Sequence, residues 1–318
     1  MTDIDCLSVG ILVADHGCAP IPRVPTAGEL LLTDRLTLSI GGCASNVAVD
    51  LARLEVGVGV VGCVGDDAFG RFVIESLETA GIDGGGVRQL AGVGTSGTLI
   101  VNVTGEDRRF IHTLGANARF TAADIPLDRV RTAKVLYVGG YLLMPALAAG
   151  ELADVFRQAR QWGVTTVLDI VLPGPGDHWS HLSPVLPHTD VFLPNHDEAA
   201  AITGLSDPRE QALRFHEAGA RTVVITCGGQ GTVLVTKGQR LRADVYSLPF
   251  VAGTGAGDAF DAGYIAALLT KADVAQCLAW GSALGASCVR GVSATESVFT
   301  RNEAEAFLKE HPLTIQSW

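Results

Sequence analysis

The chain has 318 residues, 47% apolar and 18% charged, so it can bury a sizeable core and is not a disordered polar chain. Its 23 Lys and Arg against 34 Asp and Glu give a formal charge of −11 with no basic cluster, so nucleic acid is not expected as a partner. The N-terminus carries acids where a signal peptide needs bases, and the uncharged, largely apolar run Val135 to Gly150 is broken by Gly139, Gly140 and Pro145, so no membrane segment is expected.

In chain order, short β-branched runs alternate with amphipathic stretches. "CLSVGIL" reads as a first strand, "SNVAVDLARLE" as a helix and "VGVVGCV" as a strand. Then follow "DAFGRFVIESLETAG" (helix), "KVLYVGG" (strand), "ELADVFRQARQWG" (helix) and "VTTVLDIV" (strand). "DVFLPN" (strand), "HDEAAAITG" (helix), "REQALRFHEAGA" (helix) and "RTVVITCG" (strand) continue the alternation, and Ala256 to His311 is mostly helical. Nearly all-apolar strands between helices predict a parallel sheet covered on both faces. Two segments break the rhythm: 29–39 and 96–114 read as strands, the second a hairpin turning at "TGEDR". They predict a small β element, bounded at about 16–39 and 95–114, on a single domain spanning 1–318. No internal repeat or low-complexity linker interrupts it.

Seven scattered cysteines, an odd number without C-x-x-C, predict a reduced cytoplasmic protein. His178, His181 and His188 match no standard zinc spacing and prolines interrupt them, so they read as loop or surface histidines. Two matches to G-x-G-x-x-G, at 57–62 and 92–97, both lead into strands, whereas a dinucleotide fingerprint leads from a strand into a helix. They read as turn glycines, and no phosphate-loop lysine motif is present.

Four further stretches can carry chemistry. "VAGTGAGDAFDAGY" places Gly253, Gly255, Gly257 and Asp258 ahead of a helix, an anion cradle with an acid beside it. "GGCASNVAVDLARL" starts a helix with Gly41, Gly42 and Asn46, which serve either a tight capped turn or close approach to a polar ligand. "PNHDEAAAIT" sets Asn195 and Glu198 on one helix face at a strand's end, where they could either decorate a helix start or hold hydrated magnesium. "TCGGQG" holds Thr226, Gly228 and Gly231, in a plain inter-strand turn or a nucleotide-contacting loop.

In this order the stretches, with "GCVGDDAFG", resemble the ribokinase-like (PfkB-type) carbohydrate kinase family over almost the whole chain. The resemblance implies a doubly wound, mostly parallel Rossmann-like sheet with a small β-sheet lid that often mediates dimerisation. It implies ATP-dependent phosphorylation of a hydroxyl on a sugar or sugar derivative. Asp258 would be the base, and the amides of Gly255, Ala256 and Gly257 the anion hole. Asp15 and Asn46 would hold acceptor hydroxyls, Gly41 and Gly42 would give close approach, and Asn195 and Glu198 would organise hydrated Mg2+. Thr226, Gly228 and Gly231 would contact ATP. Phosphoryl transfer needs positioning and charge stabilisation more than covalent help, so this chemistry is coherent without a phosphate-loop lysine.

The chain also departs from the pattern. Ribokinase has Lys where this chain has Cys43, and an acid near Gly140 or Tyr141, so another sugar, a sugar acid or a nucleoside is expected rather than ribose. A nucleoside kinase would need an apolar slot, for which Phe110 and Tyr141 are candidates. A catalytically dead sugar-binding protein is disfavoured because Asp258, Asn195 and Glu198 are all present. Many family members read D-T-x-G-A-G-D, and the first Asp helps bind a monovalent cation. Here Ala252 and Gly253 take the place of that Asp-Thr pair, so little potassium dependence is expected.

Overall fold

The computed structural model describes residues 4–106 and 109–318. The strands are β1 (Cys6–Gly10), β2 (Val13–Cys18), β3 (Leu36–Gly41), β4 (Val58–Gly65), β5 (Asp83–Leu90), β6 (Gly97–Val101) and β7 (Arg109–Thr113). Then come β8 (Val135–Gly139), β9 (Thr165–Leu168), β10 (Val191–Phe192), β11 (Thr222–Thr226), β12 (Thr232–Thr236), β13 (Arg240–Ala243) and β14 (Ile315–Ser317). Ten of them form one sheet in the order β14-β13-β12-β11-β10-β9-β8-β1-β4-β5. From β11 to β5 all pairs are parallel, and β12, β13 and β14 extend the β11 edge antiparallel. β1, β4 and β8 are buried along their whole length because both sheet faces are covered, which is why they read as continuous apolar runs.

The chain first winds outward from β1 to β4 and β5, then returns to β8 and runs the other way. A doubly wound sheet of this kind leaves a crevice beyond the carboxyl ends of its strands, where the direction of winding reverses. Above that edge stands a second sheet of four strands, in the order β3-β2-β6-β7. Only Ile11 and Leu12 separate β1 from β2, so the chain leaves the main sheet directly into the small one. The hairpin β6–β7 pairs antiparallel from Gly97 opposite Thr113 to Val101 opposite Arg109, while part of its expected turn, Asp107 and Arg108, lies outside the described residues.

The helices are α1 (Cys43–Arg53), α2 (Ala68–Thr79), α3 (Leu127–Thr132), α4 (Ala149–Gln161), α5 (Trp179–Leu182), α6 (His196–Thr203), α7 (Pro208–Glu217), α8 (Ala256–Leu269), α9 (Val274–Cys288) and α10 (Arg301–Glu310). α8 is apolar nearly all round and buried from Ala259 to Ala267, as expected for a helix enclosed by neighbours. Its approach to α9 is close enough that a Cβ on Gly263 would lie 2.5 Å from the Trp280 carbonyl oxygen. No described helix is long and apolar enough to cross a membrane.

The structure departs from the sequence reading in three places. Residues 29–35 contain no strand; β3 begins only at Leu36. β5 carries Gly84, Gly85 and Gly86 and lies at a sheet edge, so it lacks the apolar alternation that marks a strand. The sheet also runs on antiparallel through β12 and β13, short strands joined by tight turns, and through β14, whose partner β13 lies far back in the chain.

Candidate active site

The carboxyl ends of the parallel strands place the expected site residues in a row. Thr226 ends β11, and Asn195, just past β10, bridges to it. Asp169 follows β9, Gly140 follows β8, and Asp15 lies in β2 just beyond β1. The N-terminus of α8 faces the middle of this row: the charge of Asp258 acts on Glu198, Asp169, Asp261 and Asp15 alike.

The glycine turn before α8 has a local cause. Gly255 caps the helix at φ 79°, and a Cβ there would lie 2.5 Å from the Ala294 carbonyl oxygen. Gly255 is therefore required by both backbone angle and space. A Cβ on Gly257 would meet nothing within 4 Å, so packing does not demand that glycine and open space remains beside it. Among the described residues the Gly255 and Gly257 amides have no hydrogen-bond partner, while that of Ala256 makes a long 3.3 Å bond to Gly253. Free amides at the start of a 14-residue helix are a cradle for an anion.

Asp258 sits in the first turn of α8 and accepts from Asn46 Nδ2 at 2.7 Å. Burial raises its pKa, and hydrogen bonds from Asn46 and Cys43 act the other way. Gly41 and Gly42 deliver α1 to this point. A Cβ on Gly41 would fall 2.0 Å from Asp15 Oδ2, and one on Gly42 would fall 2.5 Å from the Ile11 carbonyl oxygen. The glycine pair thus admits the Asp15 carboxylate and the β1–β2 backbone. Asp15 itself is 8% exposed, and burial pushes its carboxyl up to about 6, with a hydrogen bond from Thr98 in the lid opposing and Asp258 adding.

Two residues not singled out from the sequence, Asp169 and Asp261, complete the floor together with Cys43. Cys43, Asp169 and Asp258 bring their Sγ and carboxylate oxygens within 4.8 Å of one another. Asp169 accepts from the Gly140 amide at 3.2 Å, so the carboxylate at that position comes from the neighbouring strand. Asp261, one turn after Asp258, accepts from Tyr137 Oη at 3.1 Å. Burial first and neighbouring carboxylates second raise both Asp169 and Asp261. Among the described residues none of Asp15, Asp169, Glu198, Asp258 and Asp261 pairs with a Lys, Arg or His. The available signal was an acid ending an apolar strand in "VTTVLDIV", and a second acid in "GDAFDAG".

Asn195 and Glu198 form a capping box at the start of α6. Asn195 Oδ1 accepts from the Glu198 amide at 2.9 Å, and Glu198 Oε2 accepts from the Asn195 amide at 3.0 Å. Glu198 is nonetheless pushed up to about 7 by burial and by the charge of Asp258, so capping does not satisfy it electrostatically. Gly228 and Gly231 lie in the turn that joins β11 to β12. Gly231, at φ 87°, packs against β13, its Cβ position 2.1 Å from the Ala243 carbonyl oxygen, while Gly228 faces open space. Tyr141 does not line a slot: it is 2% exposed and donates to the His181 carbonyl at 3.2 Å. Phe110 is on β7 of the lid. A separate cavity of about 750 Å³, beside Arg160 and Arg221, lies at the opposite sheet edge, near the starts of β9 and β11.

Comparison with known proteins agrees with this layout. Residues 3–301 match the model of the pfkB family carbohydrate kinases. The chain is 28% identical over 306 residues to a ribokinase of Haemophilus influenzae, covering 95% of this chain and 97% of the relative. It is 33% identical to an ATP-dependent ribose-1-phosphate kinase of Halopiger xanaduensis, covering 91% and 93%. The fold matches a putative ribokinase II from E. coli in complex with ATP and Mg2+ with a TM-score of 0.83 and 21% identity, covering 97% of this chain and 100% of that one. The chain belongs to the pfkB family of carbohydrate kinases.

Proposed function

We propose that the protein transfers the γ-phosphoryl group of ATP to a hydroxyl of a sugar or sugar derivative. The observation that carries this reading is Asp258 in the first turn of α8, beside the free amides of Gly255 and Gly257 and bonded to Asn46. The helix start takes the charge that develops on the transferred group, and Asp258 takes the proton of the attacking hydroxyl. A raised carboxyl is a better base than an exposed one, which suits a proton released as the O–P bond forms.

Along the sheet edge the roles follow position. Thr226, Gly228 and Gly231 contact the nucleotide, and the phosphates reach back to α8. Asp15 and Asn46 hold acceptor hydroxyls under the lid. Asn195 and Glu198 hold magnesium through water. Their fit rests on the oxygen donors and on Glu198, whose carboxyl is raised by burial and then by neighbouring acids and with which no Lys, Arg or His pairs among the described residues. Magnesium supplies charge neutralisation for the phosphates when bound. Loop residues 251–255 are tied to the end of α9 without a carboxylate, which supports weak dependence on monovalent cations.

The small sheet is the lid, which closes over the acceptor and keeps water from the phosphate. Its face carries Leu36, Leu38, Leu99 and Ile111, 41–78% exposed, which fits a homodimer contact through this sheet. The test of the activity is ADP release from ATP with each of a panel of sugars, sugar acids and nucleosides. At least one acceptor is expected to stimulate release well above the ATP-only rate; no stimulation by any of them would overturn the reading.

A further inference from the structure

Resting on the kinase reading above, we infer that the acceptor carries no negative charge and that a basic nitrogen on it is favoured, with Asp169 a specificity-determining residue. The argument is an inventory of donors and acceptors around Asp258. Asn46 Nδ2 gives one of its two hydrogens to Asp258 at 2.7 Å, the single proton of the Cys43 thiol lies between Asp169 and Asp258, the Gly140 amide donates to Asp169 at 3.2 Å, and the Thr98 hydroxyl faces Asp15. These donors are turned toward carboxylates, which leaves one Asn46 Nδ2 hydrogen here and, on the side where the phosphate is proposed to lie, the free amides of Gly255 and Gly257. At the acceptor end a ligand meets more acceptors than donors: the carboxyl oxygens of Asp15 and Asp169 and Asn46 Oδ1, against one Asn46 Nδ2 hydrogen.

Asn46 supplies the independent observation. It is 4% exposed, and its Oδ1 has no partner among the described residues. With Nδ2 on a carboxylate, the amide orientation is fixed and the orphan atom must be an acceptor. A buried acceptor of this kind calls for a ligand donor.

Hydroxyls and ammonium groups donate; a carboxylate or phosphate can only accept. A charged acid substituent would sit beside Asp15, Asp169 and Asp258, none of which pairs with a Lys, Arg or His among the described residues. His112, which shares Thr98 with Asp15, is held toward its neutral form by burial. Where ribokinase has a lysine this chain has Cys43, 6% exposed and uncharged. The acceptor end thus rejects anions and welcomes cations.

The experiment uses matched sets of pentoses and hexoses: the neutral sugar, its sugar acid, and its amino analogue. kcat/KM from ADP release and ligand-induced thermal stabilisation are measured for wild type and Asp169→Asn. In wild type, each acid is expected at least about tenfold below its neutral partner in kcat/KM, the amino analogue at or above it, and stabilisation should follow the same order. Asp169→Asn should narrow the acid's handicap at least about threefold through KM, a change that a merely structural role would not produce. An acid equal to or better than its neutral partner overturns the inference and leaves the kinase reading intact. Should the variant not fold, the wild-type ratios decide alone. Absence of turnover and of stabilisation across all sets would overturn the kinase reading, and this inference with it.

Discussion

Asn46 and Asp258, 212 residues apart, meet through one hydrogen bond of 2.7 Å that joins the start of α1 to the start of α8. The bond couples the acceptor side of the site to its base. It also opposes the burial that raises the Asp258 carboxyl.

Replacing Asn46 with Ala removes that opposition. The Asp258 carboxyl should rise further, because burial remains while the stabilising donor is gone. The acid limb of the pH profile of kcat/KM should move to higher pH, with the activity loss greater at low pH than at high pH. A hydrogen bond to a charged group is worth about 1.5–3 kcal/mol, so a loss of roughly tenfold to a hundredfold is expected on the acid side. An equal loss at all pH values would mean that Asn46 acts on binding alone.

Glu198 makes stability depend on pH. Its carboxyl stands at about 7 in the folded chain against an ordinary 4.5, so the folded state favours the protonated form. The stabilisation linked to that proton is fully present below about 4.5 and is lost as pH rises to about 7. Glu198→Gln should therefore flatten this part of the melting-temperature profile in the absence of ligand. An unchanged slope between those limits would contradict the assignment of the raised carboxyl to Glu198.

Gly263 tests how closely α8 and α9 pack. Ala normally stabilises a helix interior by about 1 kcal/mol over Gly. Here the added methyl would lie 2.5 Å from the Trp280 carbonyl oxygen and 3.0 Å from Gly281 Cα, backbone atoms that cannot rotate away. Overpacking should dominate, and Gly263→Ala should destabilise the chain by about 1–3 kcal/mol in urea unfolding. A stabilised variant would show that the two helices can move apart freely.

Much of the fold was legible because buried parallel strands are apolar on both faces and the intervening helices are amphipathic. "VGVVGCV" and "KVLYVGG" became β4 and β8 for that reason. β5, a glycine-rich edge strand, and the short β13 and β14 gave no comparable signal: β13 is too short to show a period, and β14 is a strand only through its distant pairing with β13. In the site, Asp258 was legible since its glycine turn precedes a helix in the chain itself. Asp169 was not, because it meets Asp258 only when β9 and α8 converge, and Cys43 was noted only as a departure from the family pattern, not as a neighbour of both acids. Asn195 and Glu198 were visible as a pair, and their capping box shows how one spacing serves both a helix start and the candidate metal position.

Potassium should matter little. The Val251 and Ala252 amides both donate to the Val289 carbonyl, at 2.7 and 3.1 Å. The buried Cys288 thiol lies 3.2 Å from the Thr254 carbonyl oxygen and 3.1 Å from that of Ala294. The loops flanking the glycine turn are thus joined by amides and a thiol, with Ala252 offering no carboxylate to balance a cation. Replacing potassium with a bulky organic cation at constant ionic strength should change turnover less than about tenfold, or 1.4 kcal/mol of barrier. A larger rise on restoring potassium would show a working cation site.

The base assignment is tested most directly by Asp258→Asn, which keeps size and hydrogen bonding and removes basicity. With an accepted sugar, kcat for ADP release should fall at least about 100-fold while ATP affinity, measured by calorimetry, stays nearly unchanged. Turnover close to wild type in that variant would contradict Asp258 as the base.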